Sequence, residues 1–111
     1  MAIVVFANKL IKEIKKTFNR IEKEKVISLL RSLEQNPKKG KKVGVVGNTV
    51  IKELNYNKFR FYFIANRFKI KFLSVEELTH LLLKFIRMSD KKQQEKTIKE
   101  IKVVLRELKK E

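Results

Sequence analysis

Glu53, Arg60 and Tyr62 bring a carboxylate, a guanidinium and a phenol into one short stretch, Thr49–Ile64, which reads TVIKELNYNKFRFYFI. A carboxylate takes a proton, a guanidinium grips a phosphate through paired hydrogen bonds, and a phenol donates a proton or stacks on a base. The stretch reads as a β-hairpin, because two runs of β-branched and aromatic residues flank the turn-prone Asn55-Tyr56-Asn57-Lys58. Pairing Leu54 with Phe59 sets Glu53 opposite Arg60 and Ile51 opposite Tyr62 on one face. Leu54, Phe59, Phe61, Val50 and Phe63 then form an apolar core face, with Lys52 snorkelling at its edge. On position alone the Glu53–Arg60 pair reads first as a cross-strand ion pair, worth roughly 0.2–1 kcal/mol on a solvated sheet face, and only second as a base with its orienting cation.

Other candidate groups are few. Lys38, Lys39, Lys41 and Lys42 surround Gly40 in a basic loop that suits a phosphate backbone or plain solvation. It is not a Walker loop, because the second glycine and the hydroxyl residue after lysine are missing. Arg87 ends an apolar run, and Lys91 and Lys92 follow it. With no cysteine and His80 as the one histidine, thiolate chemistry and a histidine-based zinc site are excluded, and no metal or cofactor is expected. Lys and Arg number 28 against 12 Asp and Glu, so 28 − 12 gives +16. Small domains ordinarily carry a net charge of about 2–8, so the excess points to a polyanion or an acidic partner.

These residues need a scaffold of moderate size, and 111 residues suit a single domain with its own core. Ile3–Phe6 reads as a first strand. Leu10, Ile11, Ile14 and Phe18 form a helical stripe, with Lys12, Glu13, Lys15 and Lys16 outside it. Asn19 followed by Glu22 resembles a capping box for a second helix, buried through Val26, Leu29, Leu30 and Leu33 and ended by Asn36-Pro37. Val43–Val46 reads as a strand, Gly47-Asn48 as a tight turn or bulge, and Phe68–Leu73 as an alternating strand. His80–Met88, HLLLKFIRM, is nearly continuous in apolar residues and reads as a central strand closed by Ser89-Asp90. Ser74–Glu77 caps one helical turn or merely connects. From Lys91 the spacing of Ile98, Ile101, Leu105 and Leu108 predicts a closing helix, with Lys109 and Lys110 suiting its C-terminal dipole. The order β-α-α-β-β-β-β-α predicts an α+β domain: two N-terminal helices on a mainly antiparallel sheet of four to five strands, then a C-terminal helix. The start MAIVVFANKL lacks the pattern of a signal peptide and no run suffices to span a bilayer, so a soluble cytoplasmic protein without membrane partners is expected.

Four segments taken together resemble the RelE/ParE toxin superfamily of type II toxin–antitoxin systems, in its RelE/HigB-like form. They are the helix exit LRSLEQNPKKGKKV, the hairpin IKELNYNKFRFYFI, the stretch LLLKFIRMSDKK and the closing EKTIKEIKVVLREL. FKIKFLSVEEL is extra length between the third and fourth strands of that pattern. The resemblance implies a RelE-like fold, a co-encoded antitoxin of acidic or amphipathic character, and action on the ribosome and mRNA. RelE-type members cut message without a metal, the 2′-hydroxyl attacking the adjacent phosphate, so the site needs a base, cations and a proton for the leaving oxygen. Arg60 matches the hairpin arginine that contacts the scissile phosphate, Arg87 a basic position at the end of the last central strand, and Lys91 a lysine just after it. Glu53 and Ile51 stand where the best-studied branch has basic residues. No aromatic follows Lys91 to match the C-terminal tyrosine of some members, and Tyr62 is the nearest polar aromatic. A non-catalytic RNA- or partner-binding module and the gyrase-poisoning ParE branch are the alternatives.

Overall fold

The computed structural model describes residues 2–109, so the expectation for Lys110 lies outside the described residues. Five strands and four helices follow in the order β1 (Ile3–Phe6), α1 (Asn8–Thr17), α2 (Arg20–Arg31), β2 (Lys41–Val46), β3 (Thr49–Tyr56), β4 (Phe59–Asn66), β5 (Lys69–Leu73), α3 (Val75–Met88) and α4 (Lys91–Leu108). The sheet runs β1-β5-β4-β3-β2. Its last four strands form an antiparallel meander, and β1 lies parallel to β5 at the edge.

Each hairpin closes through two residues, since Val46 pairs with Thr49, Tyr56 with Phe59, and Asn66 with Lys69. The first residue of each turn takes positive φ: Gly47 at 59°, Asn57 at 53° and Arg67 at 55°. The central hairpin therefore departs from the register read from sequence. Leu54 pairs with Phe61, Glu53 with Tyr62, and Arg60 with Asn55. The sequence leaves a two- or a four-residue turn open; with the two-residue turn Asn57-Lys58 the pairing slips by two positions from Leu54 opposite Phe59. An even slip keeps every side chain on its expected face, because side chains alternate with period two.

The two faces bury separate cores. Leu54, Phe61, Phe63, Ile70 and Phe72 pack under α1 and α2 against Leu10, Ile14, Val26 and Leu30. Ile51, Tyr62, Leu73, Val43 and Val46 pack under α3 and α4 against Leu78, Leu82, Ile101 and Val104. Full burial of each such side chain contributes about 1.5–3 kcal/mol. Lys52 reaches across the first core as expected, donating from Nζ to the Lys38 carbonyl at 3.1 Å and lying 5.9 Å from the Phe63 ring centroid.

The stretch His80–Met88 is not a strand. It is the body of α3, which starts at a full capping box: Ser74 Oγ accepts from the Glu77 N–H at 3.1 Å, and Glu77 Oε1 accepts from the Ser74 N–H at 2.9 Å. Leu78 and Leu82 then fall one turn apart on a buried stripe. This helix and α4 cover the face that was expected to be solvated. None of the helices among the described residues is long and apolar enough to cross a membrane.

Candidate functional site

Strand β5 stops at Leu73, opposite Tyr62, so the first residues of β4, Phe59 to Phe61, have no β5 partner on that side. The notch left beside them is walled by α1 and closed by the Ser74–Val75 turn into α3. It forms a cleft of about 120 Å³ whose polar or aromatic lining includes Glu13, Thr17, Phe59, Arg60, Tyr62 and Ser74. That is room for about four waters, or for a group of phosphate size.

Two clamps hold these walls. At the α1 end, Glu77 Oε2 accepts from the Lys9 N–H at 3.4 Å, and Lys9 Nζ donates to Glu76 Oε1 at 2.5 Å. The N-termini of α1 and α3 are thereby tied through carboxylates, which also suit the positive ends of both helix dipoles. Burial pushes the Glu77 carboxyl up, but hydrogen bonds from Ser74 and from the Lys9 and Leu10 backbone outweigh it and hold the group below its ordinary value. The hydrogen bond from Lys9 likewise holds Glu76 low. At the hairpin end, Phe18 meets Phe59 edge-on at 4.7 Å between centroids and also contacts Tyr56 and Phe61. The Tyr56 hydroxyl donates to Glu22 on α2, and that hydrogen bond raises the phenol above its ordinary value.

The candidate residues are distributed unevenly. Arg60, half-buried, and Tyr62, 4% exposed, line the cleft together. Glu53 is one rung across from Tyr62 and 9% exposed, flanked on its other side by Lys41 of β2. It therefore does not face Arg60, and a solvated Glu53–Arg60 ion pair is replaced by burial beneath α3 and α4. Arg87 sits in the last turn of α3, about 20 Å along the helix from Ser74 at 1.5 Å per residue. It shares the α3–α4 corner with Lys91 and Lys92, both exposed in the first turn of α4. Lys38 and Lys39 occupy the turn before β2, and Lys41 and Lys42 open that strand.

Glu13 and Thr17 are the cleft residues that helical spacing alone misses. The apolar stripe of α1 places Glu13 outside, yet it lies three residues after buried Leu10 and so borders the stripe. Among the described residues no group of three His, Cys, Asp or Glu comes together to hold a metal ion. No family model matches the chain, no curated protein matches it, and no solved structure matches it.

Proposed function

We propose that this protein is a RelE/ParE-type toxin of a type II toxin–antitoxin module, a ribosome-dependent, metal-free mRNA endonuclease that arrests translation. The observation that carries the reading is the cleft at the open end of β4, where Arg60 shares a phosphate-sized space with Glu13 and Tyr62 in a chain of net charge +16. In the proposed reaction the 2′-oxygen loses its proton and bonds to the adjacent phosphorus, the bond to the 5′-oxygen breaks, and that oxygen takes a proton from the Tyr62 phenol, leaving a cyclic phosphate and a 5′-hydroxyl. Arg60 would neutralise the crowded phosphate, as preorganised cations do where charge develops. Glu13 would take the 2′-proton, since it is the carboxylate that lines the cleft. Lys38, Lys39, Lys41, Lys42, Lys91 and Lys92 supply further charge for message or ribosomal RNA, with Arg87 beside the last pair.

The antitoxin is proposed to seat on α1 and α2. A groove of about 720 Å³ between these helices has a floor of Ile11, Ile14 and Ile27 and a rim in which Lys15, Lys23 and Arg31 outnumber the one carboxylate, Glu24. An acidic amphipathic helix matches both features. Expression in growing cells tests the toxin reading: arrest by the wild type and relief by folded Arg60→Ala support it, whereas arrest undiminished by that variant removes Arg60 from the mechanism.

A second reading, a basic RNA- or partner-binding module without cleavage, is favoured by one fact. Glu53 is buried outside the cleft lining and Arg87 lies far along α3, so two of the four candidate groups do not join Arg60 and Tyr62.

A further inference from the structure

We infer that the uncovered sheet face at its β1–β5 end, from the Arg67–Phe68 turn along β5, is a binding surface for single-stranded RNA. It is distinct from the cleft, because seven residues of β4 at about 3.3 Å each put Arg67 roughly 23 Å from Arg60.

Helices α3 and α4 bury the Tyr62 and Leu73 end of their sheet face but leave the β1–β5 end uncovered. Lys69 pairs with Asn66 and Ile3, and Lys71 with Ile64 and Val5, so these residues share that open face. Lys69, Lys71 and Asn66 are all exposed, and Ile3 is 63% exposed. A polar depression of about 360 Å³ runs along Val5, Asn8, Lys69 and Lys71. Glu77 also borders it, but its carboxylate is committed to the Ser74 and Lys9 N–H groups. Between Ile64 and Leu73 the sequence holds three cations and no carboxylate.

The apex of the hairpin adds the second component. Phe68 is 73% exposed, between Arg67 and Lys69. Arg67 sits at φ 55°, where the other two hairpins place glycine and asparagine, residues that adopt this conformation more readily. An exposed ring flanked by cations is what a single strand uses: a base stacks on the ring and neighbouring phosphates take the charges. Lys69 and Lys71 project from one face about 6.6 Å apart, a spacing suited to successive phosphates of an extended strand. The Asn66 amide beside them offers a donor and an acceptor to a 2′-hydroxyl, which favours RNA over DNA. A protein partner would need about 800 Å² with an apolar centre, whereas the exposed large apolar side chains on β1, β5 and their turn are Ile3 and Phe68.

Fluorescence anisotropy of a labelled oligouridylate, titrated with the full chain at several salt concentrations, tests the surface. Phe68→Ala is expected to weaken binding about 5–100-fold. Lys69→Ala with Lys71→Ala should lower the slope of log affinity against log salt by about 1.4, at 0.7 per contact. Arg67→Gly should lose affinity while gaining thermal stability, which separates binding from folding. The charge-matched pair Lys12→Ala with Lys16→Ala, on the exposed face of α1, should bind as the wild type. Wild-type binding by all the variants of this surface overturns the proposal. So does equal affinity for oligothymidylate, or a Phe68→Ala variant that leaves RNA unaffected while the lysine pair weakens RNA and polyglutamate alike. Because Arg60→Ala tests the endonuclease separately, failure of either claim leaves the other readable.

Discussion

Arg60 reaches its cleft because β5 ends early, and the same termination brings Glu13 beside it from α1. Glu53 attracts attention in the sequence but packs beneath two helices, one rung from Tyr62. The two carboxylates therefore predict opposite phenotypes. Glu13→Gln should slow RNA cleavage by about 10²–10⁴-fold, the usual contribution of a general base, without changing thermal stability. Glu53→Gln should leave the cleavage rate largely intact and register in denaturant unfolding instead; single-turnover rates and urea midpoints on the same samples distinguish them. Tyr56 offers a spectroscopic check on the aromatic end of the cleft. Its phenol is raised by its hydrogen bond to Glu22, so the stability it contributes is fully present below the unfolded phenol value and is lost as pH rises through the folded one. Ultraviolet titration should show a tyrosine ionising late, and Glu22→Gln should bring it back to the ordinary range.

Helix α3 is the element on which sequence and structure part. Strand β1, the cap at Asn19, the tight turn at Gly47 and the stripe of α4 were legible, because each depends on neighbours within a few residues, whereas Ser74–Glu77 read as a one-turn cap or a mere connection. HLLLKFIRM was not legible, because a nearly unbroken apolar run fits a buried strand and a helix packed on a sheet equally well. Misreading it left one sheet face without a cover, and so made the Glu53–Arg60 pair look solvated. The cleft was illegible for a related reason: nothing local in Phe68–Leu73 tells where β5 stops relative to β4. Ser74 anchors the decisive helix, so Ser74→Ala should cost about 1–2 kcal/mol in urea unfolding. The Glu77 carboxylate in the same box is depressed, so its contribution is full above the unfolded carboxylate value and is lost as pH falls through the folded one. Acid unfolding of Glu77→Gln should accordingly show a weaker pH dependence than the wild type. Gly40 is a second anchor. At φ 109°, an added Cβ would stand 2.9 Å from Phe63 Cζ in the core, so Gly40→Ala should destabilise by about 1–3 kcal/mol.

The whole molecule carries +16, and its charges serve several faces rather than one. The α1–α2 groove is rimmed mainly by cations, the α3–α4 corner gathers Arg87, Lys91 and Lys92, and the open face of β5 presents Lys69 and Lys71. Self-repulsion on this scale is screened within about 10 Å at 0.1 M salt. The unfolding temperature should therefore rise as salt is added from low ionic strength, while RNA affinity falls. Incubation of purified protein with translating ribosomes bears most directly on the central claim. The account predicts message cut within the ribosome by the wild type, with chelator present, and intact message with Arg60→Ala. Intact message with the wild type, despite retained ribosome binding, would contradict the endonuclease and leave a binding module in its place.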